Sequence, residues 1–70
     1  MLDEQNIIQK IEKKWGDVIT HIAFLDTDNR GYKRFTCADG GVDSILTVDT
    51  DGYVISRPVK SKFGDVLGTI

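Results

Sequence analysis

The chain holds one cysteine, one histidine, one proline, one tryptophan and one methionine in 70 residues. A lone Cys37 excludes an internal disulfide, and no CxxC or Cys/His cluster is written to hold zinc, so both common staples of small domains are missing. No run approaches the roughly 18 apolar residues that span a bilayer. The opening stretch MLDEQN is acidic where a signal peptide is basic. The expectation is a protein without membrane spans that stays in the cytoplasm. An excess of positive charge is missing too: 9 lysines and arginines face 11 acids, for a formal net charge of −2. General affinity for nucleic acid usually needs a clearly basic domain.

What remains is an ordinary globular mixture, 40% hydrophobic and 29% charged, in a chain with room for one core. Such a core rarely supplies more than roughly 3–5 kcal/mol without a staple or partner. Good packing or self-association must make up the difference.

Hydrophobic spacing divides the chain in two. In LDEQNIIQKIEKKWG, Ile7, Ile8, Ile11 and Trp15 fall within one arc of about 100° at helical pitch, which predicts a helix over about residues 3–15. Asp3 suits the N-cap, Leu2 and Ile7 are placed for a hydrophobic staple, and Asn6 stands imperfectly for the Glu or Gln of a capping box. Gly16 is expected to close the helix in the left-handed conformation, with Lys13 and Lys14 near the negative end of its dipole.

Beyond Gly16 the period becomes two. Residues 18–26 are apolar on both alternating sets, Val18, Ile22 and Phe24 against Ile19, Ala23 and Leu25, the pattern of an internal strand. Further strands are predicted over about 31–37, 44–49 and 53–58, with Pro58 confining the end of the last to an edge. The tail KFGDVLGTI adds a short strand at about 65–69 or caps the core. The predicted fold class is α+β: a single domain with an N-terminal helix on an antiparallel meander of four to five short strands.

The tripeptide DTD occurs twice, at Asp26–Asp28 and Asp49–Asp51, each time between predicted strands. In a meander both loops lie at one end of the sheet, so Asp26, Asp28, Asp49 and Asp51 form an acidic corner. Read as a calcium loop, the first fails at Arg30 and at Cys37, where an acid or amide and a bidentate Glu are needed. Two strand spacings also hold the loops about 10 Å apart. Hairpin turns with Asx-type hydrogen bonds are expected, with neither metal nor cofactor. The Gly40-Gly41 pair lacks the following helix and lysine of a phosphate loop and reads as another turn.

If Asp26 pairs near Gly31, His21 falls opposite Thr36 or Cys37, the one place where a Cys/His dyad is conceivable. No third group or oxyanion site accompanies it, and a free cysteine is commonly a small buried hydrophobe. The sequence predicts no enzyme.

The run IAFLDTDNRGYKRFTCADGGVDSILTVDTDGYVI resembles, over about half of the chain, a family of small uncharacterised proteins from Gram-positive bacteria and their phages. Their pattern is strand, Asp, Gly, strand, Gly-Gly, then leucine and Asp-x-Asp-Gly. The matching positions are Asp26, Gly31, Gly40, Gly41, Leu46, Asp49, Asp51 and Gly52, while the N-terminal helix and Trp15 depart from it. The resemblance implies an origin on a phage or mobile element.

The functional expectation is therefore a non-enzymatic protein-interaction module, an accessory protein that binds and modulates a host protein or associates with a second copy of itself. The surfaces named for it are Asp26, Asp28, Asp49 and Asp51, together with Lys33 and Arg34. The alternative is a small nucleic-acid-binding protein that uses Lys33, Arg34, Tyr32 and Tyr53 on a sheet surface. A calcium-responsive domain is a third reading.

Overall fold

The computed structural model describes residues 3–70. Helix α1 spans Glu4–Trp15, and the Asp3 side chain caps it by accepting from the Asn6 N–H at 2.8 Å. The staple expected between Leu2 and Ile7 lies outside the described residues. Ile7 and Ile11 are buried, while Ile8 and Trp15 pack partly exposed against the same core, as their spacing predicts.

Gly16 departs from expectation. Its φ of −66° and ψ of −14° are right-handed, and its N–H donates to the Glu12 carbonyl at 2.9 Å. Space, not handedness, asks for glycine here: a Cβ would sit 2.2 Å from the Glu12 oxygen.

Five strands follow: β1 (Ile19–Thr27), β2 (Lys33–Asp39), β3 (Val42–Val48), β4 (Tyr53–Pro58) and β5 (Asp65–Thr69). They form one sheet in chain order, every neighbouring pair antiparallel. The tail thus adds a fifth strand beside β4, and among the described residues no helix or strand lies over the second face of the sheet. Pro58 is tolerated at the end of the internal strand β4 because β5 reaches only as far as Asp65, opposite Ser56.

β1 lies at an edge, not inside the sheet. Its doubly apolar pattern comes from two bulges, between Thr20 and Ala23 and between Phe24 and Asp26, each of which adds one residue against β2. His21, within the first, is the only non-glycine residue with positive φ (57°) among the described residues. The bulges reset the alternation, so Ile19 and Ile22 pack into the core and Phe24 sets its ring edge-on to Phe35 at 5.5 Å. They also break the regular ladder that an intruding strand would need.

Period two divides the remaining strands cleanly. Phe35 and Cys37 of β2, Leu46 and Val48 of β3 and Val54 of β4 are buried with Ile7, Ile11 and Ile19 under the helix. Trp15 covers Gly68 of β5, where a Cβ would lie 3.4 Å from the indole. Ser44 and Ser56 are buried on the same side. Their hydroxyls donate to the Val42 carbonyl at 3.0 Å and to the Asp39 carboxylate at 2.6 Å, which removes the penalty of burying them. Among the described residues no helix is long and apolar enough to cross a membrane.

Candidate functional site: the turn end and the open sheet face

The two acidic loops are built alike, but in a different register from the repeated letters. Asp28 Oδ1 accepts from the N–H groups of Arg30 (2.8 Å) and Tyr32 (3.0 Å), and Asp49 Oδ1 from those of Asp51 and Tyr53, both at 2.9 Å. Each loop closes with the aspartate N–H on the tyrosine carbonyl, Asp28 on Tyr32 at 2.8 Å and Asp49 on Tyr53 at 3.0 Å. Gly31 and Gly52 take φ of 83° and 88° at the last loop position, which a side chain resists. The structural repeat is Asp-x-x-Gly-Tyr. It matches Asp28 with Asp49, and Asp51 with Arg30.

This register determines what the four carboxylates do. Asp28 and Asp49 turn inward to hold their own loops. Burial pushes the Asp28 carboxyl up, but the Tyr32 and Arg30 N–H groups and the Arg30 guanidinium at 3.0 Å outweigh it and hold it below its usual value. Asp26 belongs to β1 and meets Arg34 through Nε at 2.7 Å and Nη2 at 2.5 Å. That bond lowers its carboxyl against opposition from burial. Of the four, only Asp51 is exposed. Among the described residues no three His, Cys, Asp or Glu gather so as to hold a metal ion.

Lys33 and Arg34, named together in the sequence, point to opposite sides. Lys33 lies on the helix side, 3.4 Å from the Glu4 carboxylate and 5.6 Å from the centre of the Phe24 ring. Arg34 lies on the open side with Asp26. Tyr32 is half-buried beneath the Arg30 guanidinium, which stands 4.4 Å from its ring, whereas Tyr53 faces the open side. The structure does not bring these cations and tyrosines onto one surface.

His21 and Cys37 are likewise kept apart in role. Ala23, not His21, stands opposite Thr36, and the exposed imidazole bonds the Thr20 hydroxyl at 3.1 Å. Cys37 is buried in the core, and burial, helped by the charge of Asp39, pushes its thiol up to about 11. The thiolate is the reactive form. Alkylation of the native protein at neutral pH is therefore expected to run far below the rate of a free thiol, and to reach it only in denaturant. Free-thiol labelling of the native state would contradict this burial.

The open face is the feature that the sequence did not single out by residue. Register partners share a face, so Thr36 opposite Ile45, and Ile55 opposite both Thr47 and Val66, all lie on it. Ile45 and Ile55 are half-buried, while Tyr53 is 46% and Val66 62% exposed. Together they make an apolar diagonal across β3, β4 and β5. The Asp26–Arg34 pair borders it on the β1 side, and Arg57, opposite Ile45, borders it towards the Gly-Gly turn. No family model, curated protein or solved structure matches this chain. The site must be judged on its own chemistry, which is apolar with a polar border.

Its signal was nonetheless present in the sequence. Ile45, Ile55 and Val66 occupy the alternate positions to the core residues Leu46, Val54 and Leu67. One helix covers only one side of a sheet.

Proposed function

We propose that this chain is a non-enzymatic protein-interaction module whose partner docks on the open face of the sheet. The supporting observation is the diagonal formed by Ile45, Tyr53, Ile55 and Val66 on a face that no element among the described residues covers. Contiguous apolar surface rimmed by polar groups marks interaction sites in small soluble domains, and aromatic residues at the centre of such surfaces commonly anchor partners. The Asp26–Arg34 pair and Arg57 supply the polar border. The resemblance of the turn region to small uncharacterised proteins from Gram-positive bacteria and their phages motivates a host protein as the class of partner to seek. Nucleic acid is less favoured, because Lys33 and Arg34 do not share a face.

The test uses two baits in affinity capture from source cells, the natural chain and a Tyr53→Lys/Val66→Lys variant. Both positions are exposed, so the variant is expected to fold, with each change within about ±0.5 kcal/mol of neutral. A protein retained by the natural chain should be lost with the variant and should survive nuclease treatment. Equal retention by both baits would remove the open face as the site, and loss on nuclease treatment would favour the nucleic-acid reading.

A further inference from the structure

The far end of the sheet from the acidic loops carries two apolar features. One is a cleft of about 290 Å³ lined by Val42, Asp43, Pro58, Val59 and Lys60. Val42 and Val59 are each 53% exposed there. The other is Phe63, in the connection between β4 and β5, which at 84% is the most exposed large apolar side chain among the described residues. Its loop is braced: the Phe63 N–H donates to the Ser61 hydroxyl at 3.1 Å, the Ser61 N–H to the Pro58 carbonyl at 3.0 Å, and the Arg57 guanidinium to the Ser61 carbonyl at 2.7 Å. Phe63 is not among the residues that line its own cleft.

The charges around the two features are also complementary. Asp43 and Lys60 line the cleft, and Lys62 and Asp65 flank Phe63. None of these four takes part in an ion pair among the described residues, where the three pairs are Arg30–Asp28, Lys33–Glu4 and Arg34–Asp26. A two-fold axis sets the same patch against itself. A ring that enters the cleft of a second copy brings one cation and one anion to meet one anion and one cation.

We propose that the chain forms a homodimer in which each copy inserts Phe63 into the Val42–Pro58–Val59 cleft of the other, with Lys62 facing Asp43 and Asp65 facing Lys60. An aromatic side chain buries about 150–250 Å², so two rings and their rims make an interface at the small end of the specific range. The dimer is accordingly weak and reversible, and its population rises with concentration.

Sedimentation equilibrium between about 10 µM and about 1 mM decides the matter, since a weak dimer half-forms within that range. The mass of the natural chain is expected to rise from monomer towards a dimer plateau, while Phe63→Ala stays monomeric with an unchanged circular dichroism spectrum. Asp43→Lys should weaken the dimer, and Asp43→Lys combined with Lys62→Asp should recover it. The Tyr53→Lys/Val66→Lys variant should dimerise like the natural chain, which separates this contact from the open face. A natural chain that stays monomeric throughout, a Phe63→Ala variant that still dimerises, or a double swap that recovers nothing overturns the proposal. So does dimer loss in the Tyr53/Val66 variant, or a mass that climbs past the dimer without a plateau.

Discussion

Replacing Phe35 with alanine is expected to leave the chain largely unfolded at 25 °C. Phe35 sits on the central side of β2 with no accessible surface, opposite Leu46 of β3 and edge-on to Phe24 of β1. Removing a buried phenylalanine costs about 3–5 kcal/mol, because lost transfer energy is joined by the cavity left behind. A domain of this size without disulfide or metal has about the same amount to lose. Neighbours are poorly placed to collapse into the gap: Phe24 is held in a bulged strand, and Leu46 in a strand paired on both sides. Circular dichroism and the spread of amide resonances should both report an unfolded chain. A Phe35→Ala protein that stays folded, with only a small drop in its urea midpoint, would mean that the helix side of the sheet is not the main source of stability.

Asp49→Ala is expected to cost about 1–2 kcal/mol, by analogy with the loss of a helix N-cap side chain. One oxygen of Asp49 satisfies both the Asp51 and the Tyr53 N–H, so its removal frees the turn that sets the pairing of β3 with β4. Asp28→Ala should lower the urea midpoint in the same direction, through the Arg30 and Tyr32 N–H groups. Asp51→Ala should do nothing measurable. pH adds a second test. Because the Asp28 carboxyl is held below its usual value, its contribution is complete above the unfolded pKa of about 3.9 and fades as pH falls through the lower folded value. The penalty of Asp28→Ala should therefore be constant at neutral pH and shrink in strong acid. If Asp51→Ala proved as costly as Asp49→Ala, the two loops would follow the DTD repeat instead, and the turn geometry would be wrong.

That contrast shows where sequence reading succeeded and where it was misled. The identical letters DTD drew Asp26 to Asp49 and Asp28 to Asp51, whereas counting back from Gly-Tyr pairs Asp28 with Asp49. The position of the left-handed glycine sets a turn, and neighbouring letters do not. α1 was legible because Ile7, Ile11 and Trp15 share an arc, and β2 to β5 because Phe35, Leu46 and Val54 alternate with polar or half-buried residues. β1 was not, since one bulge after Thr20 and another after Phe24 each shift the alternation, and a doubly apolar pattern then imitates a buried strand. Gly16 is needed for another reason than handedness: the Glu12 carbonyl of the same helix takes the room of a side chain, a detail of the helix end without a sequence mark.

The candidate sites follow the same division. All four aspartates read as turn residues in the sequence, and the structure gives that work to Asp28 and Asp49 alone, with Asp26 in β1 paired to Arg34. Lys33 and Arg34 are adjacent in a strand, and period two alone assigns them to opposite faces. The apolar diagonal depends on where the tail goes. Once β5 pairs with β4 at the edge, nothing remains in the described chain to lie over Ile45, Ile55 and Val66. That open face, and not the acidic corner, is the surface on which the proposed docking rests.

The most direct test of this account is the accessibility of side-chain methyl groups to a soluble paramagnetic chelate, measured by NMR on dilute protein. The methyl signals of Ile45, Ile55 and Val66 should broaden, those of Ile11, Leu46 and Val54 should stay sharp, and addition of a captured partner should protect the first group alone. If Ile45, Ile55 and Val66 are as protected as Leu46 in the free monomer, the chain covers that face itself and the proposed docking surface does not exist.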